Sequence, residues 1–172
     1  CTITYPNGEP FELDTRSLLA AADAKAKAAG YNFKFGTEYE FYLFKTDENG
    51  APTREPYDRA GYMDIAPEDK GENIRREICL TLEQMGIIPE SSHHEEGPGQ
   101  NTIAFRYSDP LAAADNAITF KSVVRTITAR SGLFAEFSPK PLEDAPGNAL
   151  HVNISATAAN GRDCFPGIIA GI

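Results

Sequence analysis

Residues 33–44 read FKFGTEYEFYLF. Aromatic and aliphatic side chains recur here at every second position, which is the period of a strand. Phe35, Tyr39, Phe41 and Leu43 therefore point one way, and Gly36, Glu38, Glu40 and Tyr42 the other. Strand geometry sets Glu38 and Glu40 about 7 Å apart on one face. Taken alone, a solvated sheet face accounts for such a pair.

Upstream, residues 1–5 have the alternation of a short strand and Pro6-Asn7-Gly8 the chemistry of a turn. Asp14 or Thr15 caps a helix to about Ala29, with Leu18, Leu19, Ala22 and Ala26 on one face and Gly30 as its stop. Downstream, Asp47-Glu48-Asn49-Gly50 turns the chain, and Pro52 and Pro56 mark a loop. Pro67 and Glu68 open a second predicted helix to Met85, with Ile74, Ile78, Leu82 and Met85 inward and Glu72, Arg75, Arg76 and Glu83 on a solvated side. Residues 102–107 alternate again, Ile103, Phe105 and Tyr107 against Thr102, Ala104 and Arg106. Asp109-Pro110 starts a third helix to about Arg130 that buries Ala113, Ala117, Phe120, Val124 and Ile127. Gly132 ends it, and residues 133–137 suit a strand. Residues 148–155, NALHVNIS, are the last strong strand, with Leu150, Val152 and Ile154 opposite His151, Asn153 and Ser155. The terminal GIIAGI reads as the start of a helix.

The 172 residues carry a formal charge of -9. Nucleic acid and anionic membranes reward a basic face, so neither is expected as a partner. No apolar run approaches the roughly 18–20 residues of a spanning helix, and the N-terminus lacks a basic-then-apolar layout, which points to a cytoplasmic protein. Cys1, Cys79 and Cys164 are scattered without ligand spacing, as packed or terminal thiols are.

The densest polar stretch is 91–102, SSHHEEGPGQNT, which holds two of the three histidines. Burying such a cluster requires counter-charges, hydrogen bonds or a metal. If it is extended, His93 and Glu95 share one face and His94 and Glu96 the other. Three strands then present polar faces carrying Glu38 and Glu40, Glu95, and His151, opposite apolar faces covered by helices. The expected fold is α+β, a curved, mostly antiparallel sheet with helices packed on one face. Carboxylates with one imidazole form a hard, oxygen-rich set suited to Mg²⁺ or Mn²⁺, ions used in phosphoryl transfer. An acidic-faced binding domain is the alternative.

Five stretches carry a resemblance: FGTEYEFYLF (35–44), YMDIAPEDKGENIRREICLTLEQMG (62–86), SHHEEGPGQN (92–101), KSVVRTITARSGLFAEFSPKP (121–141) and LHVNIS (150–155). In this order they resemble the catalytic domain of bacterial type I glutamine synthetases. The resemblance implies ATP-dependent joining of ammonia to the γ-carboxyl of glutamate through γ-glutamyl phosphate, with two divalent cations, in a homo-oligomer. It implies Glu38 and His151 at the metal beside the ATP phosphates, and Glu40 and Glu95 at the metal nearer glutamate. Gly147 falls on a glycine whose backbone borders the glutamate. No catalytic side chain is assigned, and His93, His94 and Glu96 are expected to support the loop.

There are departures. Thr102 stands where the family has a third carboxylate on the glutamate-side metal, Pro146 where it has an asparagine, and Asn153 where a second histidine is usual. A γ-glutamyl ligase for polyamines or other amines, and a synthetase-like structural or regulatory subunit with impaired catalysis, are the alternatives these leave open. The chain is expected to be an inactive piece of a longer enzyme, with residues 1–13 entering from a preceding N-terminal domain and further phosphate- and glutamate-binding residues lying beyond residue 172.

Overall fold

The computed structural model describes residues 1–169. The elements run α1 (Thr15–Ala28), β1 (Tyr31–Thr46), β2 (Pro52–Pro56), α2 (Glu72–Gln84), β3 (Pro89–His94), β4 (Gln100–Phe105), α3 (Pro110–Arg130), β5 (Leu133–Glu136), β6 (Leu150–Ala158) and α4 (Phe165–Ile169). They make an α+β fold on one six-stranded sheet, ordered β2-β1-β4-β3, with β5 and β6 also pairing β1. The pairings of β1 with β2, β4 and β5, and of β3 with β4, are antiparallel. The long strand read from residues 33–44 is thus the one that every other strand but β3 joins directly.

The chain divides into two compact units. One comprises Cys1–Gly36, Tyr107–Asn116 and the chain from Asn153 onward; the other comprises Thr37–Arg106 and Ala117–Val152. In the first unit the Asp14 carboxylate accepts hydrogen bonds from the Ser17 amide at 3.1 Å and the Ser17 hydroxyl at 2.6 Å, which caps α1. Gly30, with φ of 87°, ends it. Leu19, Ala22 and Ala26 line a shallow apolar cleft with Phe33, Phe35 and Pro110. Leu18, expected on the same face, is exposed, because its position on the helix turns it away from that cleft.

The second unit holds the main core. Tyr39, Phe41 and Leu43 of β1 and Ile103 and Phe105 of β4 face Ile78 and Leu82 of α2 and Phe120, Val124 and Ile127 of α3. Phe120 is its hub: its ring lies 5.2 Å from Tyr39, 6.0 Å from Phe41, 5.0 Å from Phe105 and 5.9 Å from Phe137, centroid to centroid. Such tilted and edge-on pairs contribute beyond their buried area.

Four expectations need correction. The segment from Pro52 to Pro56, read as a loop, is the edge strand β2. Helix α2 begins at Glu72, not at Pro67, because the preceding residues form a turn whose Asp69 carboxylate accepts from the Gly71 amide at 2.9 Å. Arg75 is not on a solvated side; it is buried against Asp69, while Met85, past the helix end, is exposed. The apolar residues Leu150, Val152 and Ile154 of β6 are exposed, so the covered apolar face holds for β1 and β4 only. β6 joins the sheet by backbone pairing to β1 without burying that row. Of the terminal helix expected at GIIAGI, residues 167–169 fall in α4 and 170–172 lie outside the described residues.

Phe120→Ala removes the side chain shared by four aromatic neighbours. It is expected to cost about 3–5 kcal/mol in urea unfolding, with the slope of the transition unchanged.

Candidate metal centre

Strand register assembles the polar face. Across β1 and β4, Glu38 pairs with Ala104, Glu40 with Thr102 and Tyr42 with Gln100. Across β4 and β3, Thr102 pairs with His93 and Asn101 with His94. A row of Glu40, Thr102 and His93 therefore crosses three strands, and Glu95 follows two residues beyond His93 on the same side. The four residues after Glu95 turn the chain back into β4. The Glu95 amide donates to the Gln100 carbonyl at 2.9 Å, and Gly99 takes a φ of 71° where a Cβ would sit 2.7 Å from the Leu43 carbonyl.

The carboxylates make direct contacts of their own on this face. Glu38, His93 and Glu95 bring ligand atoms within 4.8 Å of one another, with His93 Nε2 3.0 Å from Glu95 Oε1. Glu40, not Glu38, approaches His151, whose Nε2 lies 3.5 Å from Glu40 Oε1. The cause is hydrogen bonding: Glu40 Oε2 accepts from Gln100 Nε2 at 3.0 Å and from the Ala149 amide at 2.9 Å, which draws it toward the start of β6. His93, expected to support the loop, shares the face of Glu95 as alternation places it and lies beside the carboxylates. Glu96 is exposed.

Thr102 is fully buried, and its hydroxyl lies 3.4 Å from Glu38 Oε1 and 3.3 Å from the Tyr39 carbonyl. Gly147 offers its carbonyl to Gln100 Nε2 at 3.0 Å, and a Cβ there would lie 2.6 Å from the Pro139 carbonyl, so only glycine fits. The Tyr42 hydroxyl donates to the Pro146 carbonyl at 2.6 Å, a bond that needs a backbone oxygen and not a particular side chain. Burial, with the nearby Glu40 charge, pushes the Tyr42 phenol up to about 12. Asn153 is exposed and belongs to the other unit.

No Lys or Arg pairs with this cluster among the described residues. Among the described residues, the ion-pair partners of Glu40 and Glu95 are histidines. Burial first, then the Glu40 charge, pushes the Glu95 carboxyl upward, against the opposing effect of His93. Crowded carboxylates without Lys or Arg fit a divalent cation, and the oxygen-rich donor set fits Mg²⁺ or Mn²⁺.

A second acidic group, Asp58, Asp69 and His94, is fully buried yet does not fit a metal. His94 Nδ1 lies 2.6 Å from the Glu95 carbonyl and Nε2 lies 2.8 Å from Asp58 Oδ1. Both partners only accept, so both ring nitrogens carry protons and the imidazole is a cation. Asp58 also accepts from the Gly99 and Lys70 amides, each at 3.0 Å. Asp69 accepts from Arg75 at 3.1 Å and 2.5 Å. Two cations already balance two carboxylates. Periodicity missed this network because Asp58 and Asp69 sit in irregular segments; the one available signal was the second face of the HHEE stretch.

The family model described as "Glutamine synthetase, catalytic domain" matches residues 12–168. A glutamine synthetase of Clostridium saccharobutylicum is 52% identical over 165 residues, covering 96% of this chain and 37% of the relative. One of Staphylococcus epidermidis is 47% identical over 156 residues, covering 90% of this chain and 35% of the relative. The cryo-electron microscopy structure of Plasmodium falciparum glutamine synthetase superposes with a TM-score of 0.83 at 26% identity, covering 96% of this chain and 38% of that one. The chain thus spans little more than a third of the length of these relatives.

Burial pushes Asp58 up and His94 down, but their mutual bond and the backbone partners outweigh it. Asp58 ends below, and His94 above, its ordinary range. His94 then stabilises the fold fully below its unfolded pKa of about 6.5 and stops doing so as pH rises through its higher folded value. Asp58 stabilises above its unfolded pKa of about 3.9 and stops doing so as pH falls through its lower folded value. The pair is therefore worth most between about pH 4 and 6.5. Asp58→Asn is expected to cost about 3–5 kcal/mol within that window, and urea unfolding should show the difference from the unmutated chain shrinking toward alkaline pH.

Proposed function

The chain belongs to the glutamine synthetase catalytic-domain family, and from that premise we propose that it forms the metal-holding part of an ATP-dependent ligase. The reaction is the joining of ammonia to the γ-carboxyl of glutamate through γ-glutamyl phosphate. The observation that carries this reading is the convergence of Glu38, Glu40 and Glu95 on one polar sheet face with histidines as their only ion-pair partners among the described residues.

In this reading Glu38, Glu40, Glu95 and His151 hold two divalent cations, Mg²⁺ or Mn²⁺. Such ions, when bound, offset the negative charge of nucleotide phosphates during phosphoryl transfer. The chain's own residues supply position. Gln100 donates at once toward Glu40, the Gly147 carbonyl and Asn148 Oδ1, at 3.0, 3.0 and 3.3 Å. That fork ties the carboxylate to the backbone proposed to border the substrate glutamate. ATP, glutamate, ammonia and a homo-oligomeric assembly are proposed for the whole protein.

Thr102 favours a second reading. A neutral hydroxyl in place of a carboxylate weakens the attraction for a cation, and a synthetase-like subunit with impaired catalysis would follow.

Calorimetric titration with Mn²⁺ tests the metal assignment. Glu40→Gln or Glu95→Gln is expected to weaken binding at least tenfold, roughly 1.4 kcal/mol. In the full-length protein, ADP release should require both glutamate and ammonia. Weak Mn²⁺ binding without such release would support the impaired subunit, tight binding of Mn²⁺ with release would argue against it, and absence of Mn²⁺ binding would refute the metal-holding ligase.

A further inference from the structure

We propose that His93 is a direct metal ligand in this chain, sharing an ion with Glu95 and within reach of Glu38, beside the position where Thr102 stands in place of a carboxylate. The proposal rests on the metal-holding reading above and adds a residue to it.

Position comes first. His93 and Thr102 are register partners on adjacent strands, so the imidazole stands directly beside the residue that cannot supply charge. The ligand atoms of Glu38, His93 and Glu95 lie within 4.8 Å of one another, a spacing that one ion can span. His93 reaches the cluster through Nε2, and its ring stands edge-on to Tyr62, 5.5 Å between centroids at 89°, which restrains its rotation.

The chemistry of the neighbour follows. The Thr102 hydroxyl already lies within reach of Glu38 and the Tyr39 carbonyl. Being fully buried and short, it cannot move to replace the imidazole. One nitrogen among carboxylate oxygens is a softer set than carboxylates alone. Mn²⁺ accepts an imidazole nitrogen more readily than Mg²⁺, which demands near-ideal octahedral geometry and gives up water reluctantly. The site should therefore prefer Mn²⁺ over Mg²⁺ more strongly than an all-carboxylate site does.

The test is pulsed electron paramagnetic resonance of Mn²⁺ bound to the chain, read for modulation by directly coordinated imidazole nitrogen. His151→Gln removes the other candidate nitrogen. The modulation is expected to persist in H151Q and to vanish in the H93Q/H151Q double variant. Calorimetry should show H93Q lowering Mn²⁺ affinity at least tenfold, with a smaller loss for Mg²⁺. Thr102→Glu, which leaves His93 in place, should raise Mg²⁺ affinity at least tenfold and narrow the preference. If Mn²⁺ binds H151Q at full stoichiometry without nitrogen modulation, His93 is only the counter-ion of Glu95 and the proposal fails while the carboxylate site stands. If the unmutated chain binds no Mn²⁺, both fail.

Discussion

Two buried ion pairs underlie the β3–β4 hairpin, and the polar face depends on them. His94 pairs with Asp58, and Arg75 with Asp69, all four side chains being almost completely shielded from water. Charges so placed are costly unless every one is matched, and here they are. Arg75 reaches from α2 to Asn101 of β4 at 2.5 Å and to the Ser92 hydroxyl of β3 at 3.1 Å. One guanidinium thus fixes a helix against two strands. His94 meanwhile donates to the carbonyl of Glu95, so the residue proposed as a ligand has its backbone held from beneath.

The contrast between the two faces of the hairpin is instructive. Alternation sends His94 and Asn101 to the side where cations and anions balance, and His93 and Thr102 to the side where they do not. Both groups are rich in carboxylate and imidazole, and composition cannot separate them. Charge balance does. The inner group is a completed set of hydrogen bonds, whereas the outer one has three carboxylates and no guanidinium or ammonium partner among the described residues.

Gln100 links the site to the sheet. Its amide gives one donor group to Glu40, Gly147 and Asn148, and its carbonyl oxygen accepts from the Gly97 amide at 3.0 Å. The turn ahead of it is tight for the same reason. A Cβ at Gly97 would collide with the Tyr42 hydroxyl, so the loop can close over β1 only with glycine there. The segments 95–100 and 146–149, distant in the chain, are held by these few bonds in fixed relation to β1.

Much of this was legible in residues alone. The strand period in FKFGTEYEFYLF separated Glu38 and Glu40 from the core, and glycine and proline punctuation located α1, α3 and β4 to within a few residues. The facing of His93 with Glu95 also followed from alternation. Local rules of this kind hold because backbone geometry and side-chain direction are set over a few residues. They failed where the partner was remote: the start of α2, the burial of Arg75 and the exposed row on β6. Those outcomes depend on which distant groups supply hydrogen bonds and counter-charges, and only the tertiary structure brings Asp58 to His94, Asp69 to Arg75, and Ala149 to Glu40.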